Sequence, residues 1–282
     1  MLRCWSHTLL AIALLGCSGD NDASAAGGEP AADTATDAAD DMVADSSDEA
    51  DADAPPAPCD RTEQEVSFET TDGVTLVADY LPGEVEGGPA IVLFHMIPPA
   101  WDRASYPARV RAALAESGAA VLNVDRRGAG GSGGVAVEAY EGDGGRLDVE
   151  AAVRFLSADQ ACPVDASRIG LVGASNGTTA VMDYTVGHDS TLPGVARIAW
   201  LSPGAYTENQ NSVSDNRALL EELPLLIVYP DSEPWSDQFA DDTPGAWTLL
   251  RIEGGDHGTL NFDDGANEAQ QLPALVDWAG GL

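Results

Sequence analysis

The chain has 282 residues, and its 47 acidic side chains face 13 arginines and no lysine, for a formal net charge of −34. Thirteen of the acids fall in 18–60, which leaves 34 against 12 arginines in 61–282. A field of that sign argues against nucleic acid and anionic lipid surfaces as partners, because both would be repelled. From the N-terminus, Arg3 precedes the apolar run Leu9–Leu15, which is too short to span a membrane, and no later stretch is long and apolar enough to do so. Residues 1–17 therefore read as an export signal. Residues 18–58 are almost wholly Ala, Asp, Gly, Ser, Glu, Thr and Pro, without an aromatic residue or an arginine. Such a segment cannot bury enough apolar surface to offset its ordering entropy, and its like charges favour extension. It is expected to be a disordered acidic tether ahead of a folded domain over 59–282.

The signal ends Leu14-Leu15-Gly16-Cys17, which resembles the bacterial lipobox. That resemblance implies that Cys17 is lipidated and becomes the mature N-terminus. Ser18 rather than an aspartate follows it, so nothing marks inner-membrane retention and the outer membrane is the expected anchor. Membrane contact is expected through this anchor alone. Of the four cysteines, Cys4 leaves with the signal and Cys17 carries lipid, so Cys59 and Cys162 remain. In an oxidising compartment they read as a disulfide that pins the domain's N-terminal edge to its sheet, with two separate buried thiols as the alternative.

Within the domain, Glu65–Thr70 and Val74–Tyr80 alternate around Thr71-Asp72-Gly73, a hairpin signal. Continuous apolar runs follow at 90–94, 119–124, 169–172, 196–201, 225–229 and 247–252, as strands buried on both faces require. Helical stretches fall near 104–117, 145–158, 176–187 and 267–279, with a weaker one near 214–222. The alternation predicts an α/β architecture, a mostly parallel sheet with helices on both faces, entered through an antiparallel hairpin. Too few residues separate Leu201 from Leu225 for a sizeable cap domain, so an open site is expected.

The most telling segment is Gly173-Ala174-Ser175-Asn176-Gly177, set between the apolar run ending at Val172 and a helical stretch. A Gly-x-Ser-x-Gly in that setting is the sharp turn that lifts a serine hydroxyl to the rim of a sheet. A free serine hydroxyl is a weak nucleophile and needs a base within hydrogen-bond reach. His257, in the flexible loop Gly254-Gly255-Asp256-His257-Gly258 after the last strand, is the candidate. His188 follows the helix behind Ser175 and is expected to face solvent or cap that helix.

Residues 63–282 resemble α/β hydrolases of the dienelactone-hydrolase-like group. The matching stretches are Leu93-Phe94-His95-Met96, Asp125 to Ser132, Arg168 to Gly177, Leu201-Ser202-Pro203-Gly204 and Asp256-His257-Gly258-Thr259, in the family's order. The resemblance implies an α/β-hydrolase fold and a serine–histidine–acid triad in the order Ser175, acid, His257. The family's acid position falls on Glu233, where relatives often carry an aspartate; Asp231 and Asp237 compete for the role. Backbone N–H groups of Met96 and Asn176 are implied as the oxyanion hole, with His95 bracing the Met96 loop. Asp125, Arg126 and Arg127 look like a substrate-site loop but are mostly structural in relatives. Trp101, Tyr106, Trp200, Tyr206 and Trp235 lie near strand ends, where they either line an acyl pocket or pack in the core. No cysteine–histidine cluster has zinc spacing, no phosphate-binding loop is present, and no cofactor is implied. The expected activity is hydrolysis of small or medium soluble esters through an acyl-enzyme. A peptidase or amidase of the same fold, and a non-catalytic surface binding protein, are the alternatives. The sequence carries no signal of oligomeric state.

Overall fold

A computed structural model describes residues 56–282 except 159, 205–210, 234–238 and 240–242. The export signal with Cys17, nearly all of the tether, and Tyr206, Trp235 and Asp237 lie outside the described residues.

Eight strands form one sheet in the order β1-β2-β4-β3-β5-β6-β7-β8. The hairpin β1 (Gln64–Glu69) and β2 (Thr75–Leu81) is antiparallel, and β2 pairs antiparallel with β4 (Ala120–Val124). The remaining strands are parallel: β3 (Gly88–Phe94), β5 (Val164–Ala174), β6 (Arg197–Leu201), β7 (Leu225–Pro230) and β8 (Trp247–Ile252). Every residue of β3, β4 and β7 is buried, which is why these strands read as unbroken apolar runs. Side chains still alternate between faces. Val92 and Phe94 enter one core with α2 (Gly144–Ser157) and α3 (Gly177–Gly187), while Ile91 and Leu93 enter the other with α1 (Ala108–Ala115) and α5 (Gly265–Ala279). Between β6 and β7 the described residues hold only the single-turn α4 (Arg217–Leu220).

Two boundaries differ from the sequence reading. The helix expected from 104 begins only at Ala108, after a separate 3-10 turn at Arg103–Ser105. Pro107 stands between them; it disfavours helical backbone in the residue before it and has no N–H to continue a helical ladder. Strand β5 begins at Val164 rather than Ile169, where a bulge lets Gly88 pair with Val164. The polar residues Asp165, Ser167 and Arg168 hide this extension from a hydrophobicity reading.

Cys59 and Cys162 are joined by a disulfide, with Cα atoms 5.8 Å apart across 103 residues of sequence. It ties the segment before β1 to the loop entering β5. Backbone pairing starts slightly earlier than Cys59: Pro58 bridges Val85, and the Glu86 N–H donates to Ala57 O at 3.0 Å. Among the described residues no helix is long and apolar enough to cross a membrane.

The register aligns the strand ends that matter. Phe94 pairs with Gly173, Ala174 with Leu201, and Leu201 with Val228. The residues that follow β3, β5, β6 and β7 therefore emerge along one rim.

Candidate active site

Ser175 occupies the turn between β5 and α3 with φ +50°, in the left-handed region that a side chain disfavours. Its N–H donates to Leu201 O at 2.7 Å, and its carbonyl accepts from the N–H of Thr178 at 2.9 Å and the hydroxyl of Thr178 at 2.6 Å. These bonds fix the backbone on both sides. The flanking glycines follow from crowding. A Cβ on Gly173 would lie 2.6 Å from Gly177 O, and one on Gly177 would lie 2.6 Å from both Phe94 O and His95 O. The turn thus folds back on itself and presses against the end of β3.

His257 follows β8, and its Nε2 lies 2.7 Å from Ser175 Oγ. Its Nδ1 hydrogen-bonds Glu233 Oε1. A carboxylate oxygen accepts there, so Nδ1 carries the proton and the Nε2 lone pair faces the serine hydroxyl. Glu233 sits just past β7 and is buried, and among the described residues its Oε2 has no hydrogen-bond partner. The carboxylate is thereby committed to His257. Asp231, the described competitor, accepts instead from the Gly254 N–H at 3.0 Å and so ties down the base of the His257 loop. Asp237 lies outside the described residues.

The His257 loop is held from two directions. The Gly258 N–H donates to Ser202 Oγ at 2.8 Å. The Asp256 N–H donates to Asn261 Oδ1 at 2.7 Å, and Asn261 in turn donates to Gln271 Oε1 of α5 at 2.8 Å. Ser202 ends β6 with φ +55°. In the sequence it falls in the family-like stretch Leu201-Ser202-Pro203-Gly204, with no role attached to it. Its positive φ and its bond to a distant main-chain N–H leave no trace in composition or periodicity.

On the other side of Ser175, the loop after β3 contributes His95 and Met96, both buried. His95 Nε2 accepts the Arg126 N–H at 2.9 Å, so Nδ1 is the protonated nitrogen and donates to Met96 O at 2.8 Å. Burial, reinforced by the Arg126 charge, pulls the His95 pKa down to about 3, and the ring is neutral at ordinary pH. Both nitrogens are engaged in holding backbone, and neither reaches Ser175. Among the described residues, the main-chain N–H groups of Met96 and Asn176 donate to no protein acceptor. Two free donors beside a serine hydroxyl are what an oxyanion hole needs.

The remaining candidates settle into the scaffold. His188 Nδ1 lies 2.9 Å from Tyr184 O at the end of α3, and its ring stacks on Tyr184. Asp125 accepts from the Arg103 N–H at 2.8 Å and the Gly131 N–H at 2.7 Å. Arg127 pairs with the buried Asp148 at 2.8 Å and with Asp72 at 2.8 Å. Tyr106 and Trp200 are core residues, and Trp101 is half-buried. Among the described residues, no group of His, Cys, Asp and Glu is arranged to hold a metal ion.

Comparison with solved structures identifies the class of scaffold. An esterase of Pyrobaculum calidifontis is 16% identical, covers 79% of this chain and 86% of its own, and superposes with a TM-score of 0.59. Dienelactone hydrolase from Anabaena variabilis is 17% identical, covers 77% and 96%, with a TM-score of 0.55. The α/β hydrolase GrgF from Penicillium sp. sh18 is 16% identical, covers 78% and 100%, with a TM-score of 0.54. The chain has the α/β-hydrolase fold. No protein-family model matches it, and no curated protein matches it significantly.

Proposed function

We propose that the chain is a serine carboxylesterase that works through an acyl-enzyme. The observation that carries this reading is His257, bridging Ser175 Oγ at 2.7 Å through one nitrogen and the buried Glu233 through the other. Ser175 Oγ bonds to the ester carbonyl carbon as its proton passes to His257 Nε2. Glu233 holds the imidazole in the required tautomer and stabilises its charged form. The carbonyl oxygen takes the electron pair and rests on the N–H groups of Met96 and Asn176. Collapse breaks the bond to the alcohol, which leaves with the proton from His257. Water then repeats the sequence on the acyl-enzyme and releases the acid. The esterase and dienelactone hydrolase names among the similar structures point the same way. The short connection between β6 and β7, with one helical turn among its described residues, favours small or medium soluble esters over long-chain lipid.

A fluorophosphonate probe tests this reading. It is expected to label the wild-type protein once and to leave Ser175→Ala unlabelled; labelling that survives Ser175→Ala would sink it.

Export belongs to the same proposal, with Cys17 lipidated and the acidic segment holding the domain away from an outer membrane. The Cys59–Cys162 disulfide supports an oxidising compartment. Cys17→Ser is expected to move the protein from the membrane fraction to the soluble one, and an unchanged distribution would contradict the anchor.

A further inference from the structure

Arg126 directly follows Asp125 at the end of β4, and its side chain is wholly buried. A charge taken out of water ordinarily brings a counter-charge with it, because the lost hydration is otherwise uncompensated. The next residue, Arg127, follows that rule with Asp148 at 2.8 Å. Arg126 does not. Among the described residues no carboxylate forms an ion pair with it, and Asp148, whose charge it feels, is already taken by Arg127. Its hydrogen-bond acceptors are all neutral. Nη2 donates to Ala139 O at 2.6 Å and Nη1 to Asn176 Oδ1 at 3.0 Å, with Met96 O at 3.3 Å and His95 O at 3.4 Å, while Nε has no acceptor among the described residues. Burial lowers its pKa only to about 10, so the guanidinium stays charged at neutral pH.

Two of the residues that grip this cation, Met96 and Asn176, own the two free main-chain donors beside Ser175. The peptide linking His95 to Met96 presents its carbonyl to the guanidinium, and its N–H points the opposite way, since a trans peptide sets the two antiparallel. A cation at the carbonyl end draws electron density toward oxygen and makes the N–H at the far end a better donor. We propose that Arg126 is the positioning residue of the oxyanion hole, a buried cation with no carboxylate in contact among the described residues, which locks the Met96 and Asn176 loops together and favours the negative oxygen formed when Ser175 attacks. This rests on the serine-hydrolase reading above. In a water-poor interior a fixed charge acts over several ångströms without reorganising. A ground-state ester carbonyl carries only a partial charge, so the benefit falls on kcat and on anionic adducts and leaves KM nearly alone.

Four proteins decide it: wild type, Ser175→Ala, Arg126→Met and Asn176→Asp. Each is assayed for hydrolysis of p-nitrophenyl acetate and for inhibition by phenylboronic acid, which forms an anionic tetrahedral adduct on a serine. Arg126→Met removes the charge at similar volume. Asn176→Asp keeps an acceptor for Nη1 and both main-chain donors, but sets a carboxylate against the guanidinium and cancels its field. Both variants are expected to fold, with KM within about twofold of wild type. Their kcat should fall by about tenfold to a hundredfold, with boronate affinity falling in the same proportion. Wild-type kcat in Asn176→Asp, or a loss of kcat with boronate affinity intact, overturns the proposal. If one variant fails to fold, the other decides. An inactive wild type, or a Ser175→Ala as fast as wild type, refutes the serine-hydrolase reading and the Arg126 proposal with it. An active wild type, a dead Ser175→Ala and an unaffected Asn176→Asp remove Arg126's role alone.

Discussion

Two non-glycine residues among those described hold a positive φ, Ser175 at +50° and Ser202 at +55°, and both terminate strands at the same rim. Each such conformation costs about 1–2 kcal/mol and persists only where its surroundings over-determine it. Here the surroundings are backbone bonds: Ser175 N–H to Leu201 O and Ser202 N–H to Val228 O, each 2.7 Å. The first turn aims a hydroxyl at His257, and the second aims one at the N–H that follows His257. Sequence made the first legible through its flanking glycines and His257 through its loop after the last strand, while Glu233 rested on the resemblance to relatives, with Asp231 and Asp237 left open. Ser202 and Arg126 were not legible in these roles, because each depends on a main-chain group that only the folded chain brings near. At this scale the sharpest prediction concerns Glu233. Glu233→Gln keeps an oxygen near His257 Nδ1 but loses the charge that steadies the imidazolium, and an amide N–H turned inward would favour the wrong tautomer. The kcat for p-nitrophenyl acetate is expected to fall by about a thousandfold or more, with the fold intact by circular dichroism. A loss of less than tenfold would transfer the acid's role elsewhere.

The elements position these residues through register. Because β3, β5 and β6 end within one residue of each other in register, and β7 runs two residues further, short loops suffice to bring the residues after them together. All eight strands were readable as apolar runs or alternation. The exceptions were set by local chemistry, Pro107 delaying α1 and polar residues masking the start of β5. The loop between β4 and α2 is held differently, by charge. Arg127 donates through Nε and its main-chain N–H to the two oxygens of the buried Asp148 on α2, which anchors that helix to the loop that follows β4. Asp148→Asn would leave a buried guanidinium supported only by Asp72 and, at 3.7 Å, Glu138, both well exposed. The expected cost is about 3 kcal/mol, read as a lower urea midpoint with unchanged slope. An unchanged midpoint would show that Asp72 and Glu138 suffice to hold Arg127.

At the scale of the whole molecule, the sequence is strongly acidic both in 18–60 and in 61–282, while a wholly buried cation, Arg126, bonds Asn176 next to Ser175. The disulfide spans 103 residues and closes the N-terminal edge of the domain onto the sheet that carries Ser175. The scaffold was legible because parallel sheets write their buried strands plainly; in the loops, glycines marked the Ser175 turn and the His257 loop, and Glu233 rested on the resemblance to relatives. Ser175 Oγ is the atom proposed to take the acyl group. Rapid acid quenching of the protein with p-nitrophenyl acetate, followed by peptide mass mapping, tests that directly. One acetyl group on the peptide containing Ser175, absent from Ser175→Ala, is the predicted result. Turnover with no acetyl at Ser175, or with the same acetylated peptide in Ser175→Ala, would contradict it.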